Sequence, residues 1–328
     1  LSGFLALSKN LKFVFMKIRN ILLLIAVALG LTAVSLWMGQ QAYSWFPPQA
    51  SAESKLIDGL FSFLTVLGTF IFLGVTGTLL YSVLFQQAAK YDMSDGPPIE
   101  GNITLEVVWT AIPILLVVWI ATYSYNVYQQ MAITGPMEMT HMHSMASAAP
   151  LDAEDAMTNP IVLETSPEPA EKIEVFAKQW SWVFRYPDSN ITSSELHLPN
   201  NRRIRLLMQS ADVIHGFYIP AFRLKQDIIP QQPINFEFTP IRLGTYRLTD
   251  SQYSGTYFAT MTANVVVQDP EDYQKWLVDA ASRKPTVASN QAAAEYFRES
   301  KKPIKTSWPT VEPVAAPLVN YHSEQDKR

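Results

Sequence analysis

The sequence contains no cysteine. That absence excludes disulfides, zinc–thiolate sites, iron–sulfur clusters, thiolate-bound copper and a cysteine-linked lipid anchor. Charge is also scarce: 16% of the 328 residues are Asp, Glu, Lys or Arg, against about 25% in an ordinary soluble protein. The formal net charge of −4, without any lysine–arginine cluster, leaves no footprint for nucleic acid. The shortfall is uneven, because long charge-free runs crowd the first 140 residues. A mean hydropathy of +0.05 therefore averages a membrane half with a polar half. The length allows about two domains.

Three runs are apolar enough to span a bilayer. Ile21–Met38 is 18 residues without a charge, which at about 1.5 Å per residue covers most of a roughly 30 Å hydrocarbon core. Gly59–Ala89 is also uncharged, densest from Leu60 to Phe85, and the third run extends from Val107 to Tyr123. Trp45, Phe46, Trp109, Tyr123 and Tyr125 lie near the run ends, where amphipathic rings favour the headgroup region. Lys9, Lys12, Lys17 and Arg19 precede the first run and Lys90 follows the second, whereas the loop after the first run has only Lys55 and no Lys or Arg follows the third run until Lys172. The positive-inside rule then places the N-terminus and the 90–106 loop in the cytoplasm and everything after residue 128 outside. The first run also reads as a signal peptide, with Ala50-Ser51-Ala52 as its cleavage site. Its length and the distance to that site favour a retained membrane helix. Met16 is a candidate start.

Residues 130–170 have no base, several acids and much Met, Ala and Pro, and read as a poorly ordered linker. Met137, Met139, His141, Met142, His143 and Met145 within it form a soft cluster of the kind that holds Cu(I); the bland alternative is a Met-rich spacer. From Lys172 to Gln268 the pattern turns to short alternating strands. They are expected at 173–176, 180–186, 203–208, 234–238 and 264–267, broken by Pro187, Pro199, Pro230, Pro240 and Gly244. This spacing predicts an antiparallel sandwich or barrel. Tyr273–Ala281 reads as a capped helix, and the last 30 or so residues as a tail.

Phe176-Ala177-Lys178-Gln179-Trp180-Ser181-Trp182-Val183-Phe184-Arg185-Tyr186-Pro187 resembles the aromatic segment of subunit II of haem–copper oxidases. The stretch from Ala211 to Asp227 and Leu105-Glu106-Val107-Val108-Trp109-Thr110-Ala111-Ile112-Pro113 resemble two further motifs of that family, in the right order. The resemblance covers residues 58 to 280 or so. It implies a membrane-anchored chain whose transmembrane helices precede an all-β cupredoxin-like sandwich. The boundaries expected are an N-terminal segment with the first helix (1–57), a helical hairpin (58–128), the linker (129–170), the outer domain (171–270) and a C-terminal helix and tail (271–328).

In cytochrome c oxidases of this family the outer domain holds a binuclear copper centre. Its ligands are an upstream His and a loop of the form Cys-x-Glu-x-Cys-Gly-x-x-His-x-x-Met. Here the upstream His is His215 and the loop runs from Asp250 to Met261. Asp250 and Ser254 stand in place of the two cysteines, Gln252 in place of the glutamate and Phe258 in place of the second His, while Gly255 and Met261 remain. A copper pair needs the two bridging thiolates, so these positions are expected to hold no metal, and His215 is expected to be a leftover polar residue hydrogen-bonded at the domain surface. A lone copper at His215, Asp250 and Met261 is the weaker alternative.

Loss of the centre resembles the quinol-oxidase branch, and among its members the cyanobacterial alternative oxidases, whose quinol would be plastoquinol. The resemblance then implies a non-catalytic subunit of a proton-pumping oxidase that reduces oxygen to water. No cofactor is expected in this chain; the haems and one copper would reside in subunit I. The implied partners are subunits I and III, a membrane quinol bound by subunit I, and the bilayer, in a bacterial plasma or thylakoid membrane. Trp180, Trp182, Arg223, Lys225 and Asp227 are expected at the interface with subunit I. Glu106, at the start of the last membrane helix, matches a proton-uptake glutamate; the plainer reading is an acid on the helix dipole beside an Asn102 or Thr104 cap. The alternatives are a cytochrome c oxidase subunit with a degenerate copper site and a membrane-tethered copper-binding protein.

Overall fold

A computed structural model of the chain describes residues 2–87, 91, 101–131, 171–302 and 311–322. The Met/His cluster at 137–145 lies outside the described residues. Each apolar run lies in a helix long enough to cross a membrane: α1 (Ser2–Ala42), α2 (Ala52–Phe85) and α3 (Ile103–Gln130). The starts of α2 and α3 are set by side-chain caps. Ser51 Oγ accepts the Ser54 amide at 3.0 Å ahead of α2, and Asn102 Oδ1 accepts the Leu105 amide at 3.1 Å ahead of α3. These bonds satisfy backbone donors that the first helical turn leaves unpaired.

The chain divides into two compact units, one formed by residues 1–46 and 58–124 and the other by 47–57 and 125–328. In the first, α1 and α2 approach closely at Gly39, whose carbonyl accepts Ser62 Oγ at 2.8 Å; a side chain at Gly39 would run into Val66. Phe63 of α2 meets Trp119 and Tyr123 of α3 edge-on at 5.1 and 4.9 Å.

The second unit is a two-sheet sandwich. Its strands are β1 (Glu171–Lys178), β2 (Ser181–Tyr186), β3 (Ile191–Ser193), β4 (Leu196–Pro199), β5 (Ile204–Ser210), β6 (His215–Ile219), β7 (Leu224–Ile228), β8 (Ile234–Phe238), β9 (Gly244–Asp250) and β10 (Thr262–Gln268). One sheet has the order β3-β2-β1-β5-β8 and the other β4-β10-β9-β6-β7. The expected antiparallel pattern needs correction, because β1–β5 and β4–β10 pair in parallel. Those two pairings join strands that are not consecutive, which strand alternation along the sequence does not specify. Period-2 alternation does set which face is inside. Ile173, Val175 and Ala177 of β1, Ile204, Leu206 and Met208 of β5, and Phe217 and Ile219 of β6 all point into the core.

Helix α4 (Pro270–Ser282) starts with Pro270 at its first position and buries Tyr273, Trp276, Leu277 and Ala280, a 3–4 spacing that puts all four on one face. The expected tail is more structured than its composition implies. Strand β11 (Thr286–Val287) pairs with β12 (Leu318–Val319), and helix α5 (Gln291–Ser300) lies between them in sequence. Helix α5 is nucleated by Asn290, whose side chain accepts the Ala293 amide, and it buries Ala292 and Ala293.

Residues Pro47–Ile57 fold as part of the sandwich. The Ala50 amide donates to Ala221 O at 3.0 Å, Ala52 to Thr239 O at 2.9 Å, and Ile241 to Ala50 O at 2.9 Å. Ala50, Ser51 and Ala52, the triplet that resembles a cleavage site, are thus buried strap residues of the outer domain. Glu53, also buried, receives Arg203 Nη1 at 2.8 Å and the Thr239 amide at 3.2 Å.

Candidate functional site

Four elements converge beside the start of β6. His215 opens that strand, Asp250 ends the neighbouring β9, Asp212 lies in the turn before β6, and Ser254 lies in the loop after β9. The register of β6 against β9 pairs Phe217 with Asp250, which brings Asp250 beside the first residues of β6. Gly216 is required there: a Cβ would lie 2.8 Å from the Gln252 amide and collide with Ser251. The loop also demands its glycine. Gly255 has φ +117°, and a Cβ on it would sit 2.6 Å from Trp180 Cζ2.

His215 is fully buried, which corrects the expectation that it lies at the domain surface. Its Nδ1 lies 2.7 Å from Asp250 Oδ2 and its Nε2 lies 3.0 Å from Asp212 Oδ1. An ionised carboxylate only accepts hydrogen bonds, so both contacts hold together when both ring nitrogens carry a proton. Burial by itself would lower the His215 pKa, but the hydrogen bonds and charges of Asp212 and Asp250 outweigh it and hold the imidazole above its ordinary range. Asp212 moves the other way: burial would raise it, yet the bonds from His215, the Gln179 amide and the Val213 amide keep its carboxyl below the usual value. Both ring nitrogens of His215 thus face carboxylates, an arrangement that favours the protonated ring.

Asp250 is held from every side. Its Oδ1 accepts the Gly216 amide at 2.7 Å and the Gln252 amide at 3.0 Å, and its Oδ2 accepts Ser254 Oγ at 2.7 Å as well as His215. Two tryptophans brace the shell. Trp180 Nε1 donates to Ser254 O at 3.1 Å and Trp182 Nε1 to Met261 O at 3.2 Å, while the Trp182 ring meets His215 edge-on at 6.2 Å. Gln252 turns its amide to Asp227 Oδ2 at 2.7 Å, and Lys225 Nζ holds the other Asp227 oxygen at 2.9 Å.

The structure therefore brings His215, Asp250, Gln252 and Ser254 together, with Met261 buried below them. Phe258 stands off the polar centre and packs on Tyr253 at 5.4 Å. Trp180 and Trp182 require a correction. They are 2% and 3% exposed, and the little surface that they keep faces a cleft lined also by Ser289, Asn290 and Gln291 rather than an open intersubunit face. Lys225 is exposed, and Asp227 and Arg223 are partly so, with Arg223 Nη2 donating to Pro47 O at 2.6 Å. Asp212 was visible only as a letter in a motif; its reach back to His215 emerges from the turn geometry. Glu106 sits in the first turn of α3 behind the Asn102 cap, the arrangement that the plainer reading anticipates.

Comparison with known proteins now fixes the family. The profile described as cytochrome c oxidase subunit II, transmembrane domain, matches residues 35–127, and the one described as its periplasmic domain matches 189–269. The chain is 35% identical over 296 residues to cytochrome c oxidase subunit 2 of Synechocystis sp., covering 83% of this chain and 86% of that one. It belongs to the cytochrome c oxidase subunit II family. A subunit of the same name from Thermostichus vulcanus is 34% identical, with 75% of this chain and 81% of that one aligned. A quinol oxidase subunit 2 from Bacillus spizizenii is 26% identical over 74% of this chain and 67% of its own length. As a subunit II the chain is part of a respiratory oxidase complex, anchored in a membrane, with a cupredoxin-like outer domain.

The residues present do not fit the copper pair that cytochrome c oxidase members of this subunit II family carry. Soft thiolate bridges are replaced by a carboxylate and a hydroxyl. The carboxylate oxygens are already engaged by four donors. Each nitrogen of the one imidazole faces a carboxylate at hydrogen-bond distance, so a metal there would have to displace one of those contacts.

Proposed function

We propose that this chain is subunit II of a haem–copper oxidase that takes its electrons from a membrane quinol, with no copper centre of its own. The observation that carries the reading is the engagement of both His215 ring nitrogens by carboxylates at the place where relatives would need metal ligands. A chain without an electron-accepting centre in its outer domain has no use for a soluble donor there. Electrons then enter through subunit I, which also holds the haems, the oxygen-site copper and the quinol. The likeness to a quinol oxidase subunit supports this branch. The higher identity to subunits named for cytochrome c supports a second reading, a cytochrome c oxidase subunit whose donor bypasses the lost centre.

In the quinol reading the helices pack on subunit I, the Lys225–Asp227 surface faces it on the outer side, and Glu106 collects protons at the cytoplasmic end of α3. A carboxylate at the mouth of a membrane helix suits proton collection. Replacing Glu106 with Gln slows proton-coupled turnover while the complex still assembles; unaltered turnover removes the uptake role. The deciding experiment uses the purified complex: copper per haem by metal analysis, and oxygen uptake with quinol and with reduced cytochrome c. The expected result is copper for subunit I alone and uptake with quinol only. Uptake with cytochrome c at a comparable rate refutes the proposal.

A further inference from the structure

The outer domain does not end at the sandwich, and its C-terminal extension returns to the neighbourhood of the buried centre. Gln179 is the contact point. Its amide N–H donates to Asp212 and its side chain to Ser254 O, two residues of the His215 shell. Its carbonyl in turn accepts the Val314 amide at 2.7 Å. Val314 O accepts Asn290 Nδ2 at 3.0 Å, and Asn290 is also the cap of α5. One asparagine thus ties the start of α5 to the 311–322 segment, and that segment to the shell. Farther along, Asn320 and Tyr321 both donate backbone amides to Thr192 O, at 2.9 and 3.2 Å.

Between the extension and the sandwich runs a mainly polar cleft of about 420 Å³. Trp180 and Trp182 line its sandwich side, and Ser289, Asn290 and Gln291 its extension side. Helix α5 lies near Tyr257, the ring that meets Trp180 edge-on at 5.3 Å. Burial, with the nearby charges of Glu299 and Glu295, holds the Tyr257 phenol above its ordinary value. The cleft is wide enough for water and small solutes, and the two tryptophans beside it are only 2% and 3% exposed.

We propose that the C-terminal extension, residues 286–302 with 311–322, is a size-selective cover over the aromatic wall of the His215 centre, open to small solutes and closed to other proteins. The shelter is a property of the fold. Its consequence, that a soluble redox protein is kept away from a face with no copper behind it, rests on the quinol reading above.

The lack of native cysteine in this chain makes the test direct. Ser181, which lines the cleft, is changed to Cys, and in a second variant Val278, exposed on α4, is changed to Cys as a reference. Both are assembled in the intact oxidase and treated with N-ethylmaleimide or with a maleimide carrying a long polyethylene glycol chain; labelling is read by the mass of this subunit. The small reagent is expected to label both sites, and the polymer to label Val278→Cys but not Ser181→Cys. Adding Asn290→Ala, which removes the cap and the tie to Val314, raises polymer labelling at Ser181→Cys by about fivefold or more. Adding Val314→Pro, which removes the donor to Gln179, does the same by an independent route. Equal polymer labelling of the two sites in the parent, or no change on removing either tie, overturns the proposal. Oxygen uptake by the parent with cytochrome c overturns the quinol reading instead, and the labelling pattern still judges the cover separately.

Discussion

Replacing Asp250 with Asn separates the charge of the buried centre from its shape. The amide oxygen can still accept the Gly216 and Gln252 amides, which reach Asp250 Oδ1 at 2.7 and 3.0 Å in the parent. Its NH2 group then faces Ser254 Oγ and His215 Nδ1, both held at 2.7 Å in the parent. A hydroxyl can turn to accept, but a protonated Nδ1 cannot. The ring must either shed that proton or keep a buried donor against a donor. A charge-assisted hydrogen bond contributes about 1.5–3 kcal/mol, and an uncompensated buried charge costs about 3–5 kcal/mol. Deprotonation limits the loss, so about 2–4 kcal/mol is expected near pH 6.

The pH dependence has a definite sign. The His215 pKa is raised above its ordinary 6.5, so its contribution is complete below about pH 6.5 and fades as pH rises through the folded value. The Asp212 pKa is lowered from 3.8, so its contribution is complete above about pH 4 and is lost as pH falls through the folded value. The clamp is whole between those limits. The assay is hydrogen exchange of the Gly216 and Gln252 amides in the detergent-solubilised complex, corrected for intrinsic rates. With 1.4 kcal/mol per tenfold, Asp250→Asn accelerates local opening about 30-fold to several hundredfold near pH 6. The gap to the parent narrows as pH rises through the folded value, where the parent ring loses its charge. Exchange within about threefold of the parent at pH 6, or a gap that widens from pH 6 to 9, would refute the imidazolium assignment.

Other substitutions test the frame around the centre. Gly255→Ala forces a side chain onto a φ of +117° and into Trp180; it is expected to cost about 1–3 kcal/mol and to change the near-ultraviolet circular dichroism of the tryptophans. An unchanged spectrum and melting temperature counts against the tight loop–indole contact. Glu53→Gln removes the buried carboxylate of the strap from Arg203, whose side chain is 24% exposed. Allowing for that solvent access, the loss is about 1–3 kcal/mol in thermal unfolding of the outer domain. Adding Arg203→Met should recover part of it, and a strictly additive double variant argues against coupling between the pair.

The spans were legible because long uncharged runs have few alternatives in a folded protein, and the strands at 173–176, 180–186 and 234–238 because alternation marks one buried face. The helix around Tyr273 announced itself by the start signal Asp269-Pro270-Glu271-Asp272. Other features depend on contacts between distant residues. Nothing in the run from Pro47 to Ile57 says that Ala50 hydrogen-bonds Ala221 and Ile241. The indoles of Trp180 and Trp182 look like surface aromatics in a polar stretch. Only the loop at Ser254 and Met261, folding over to accept their N–H groups, reveals that they are internal. The substitutions at Asp250, Gln252, Ser254 and Phe258 relative to the family's copper loop were readable one by one. Asp212 was not, because its partnership depends on a turn that folds its carboxylate back over the ring three residues later.

A metal centre that merely lost its ligands would strand buried polar groups, and each would cost desolvation energy with nothing in return. That is not what surrounds His215. Among the described residues, the buried side-chain atoms lacking a partner include His197 Nε2, Arg203 Nη2 and Trp276 Nε1, and none belongs to His215, Asp212, Asp250 or Ser254. Asp250 supplies a charge where a bridging thiolate would have been, Ser254 donates to it, and Asp212 takes the ring nitrogen on the far side. The positive charge that these two carboxylates favour at the middle of the site is a proton on imidazole. A proton there would keep the loop, the glycine turn and the tryptophan braces in place without carrying an electron, which is what the quinol reading proposed above asks of this subunit.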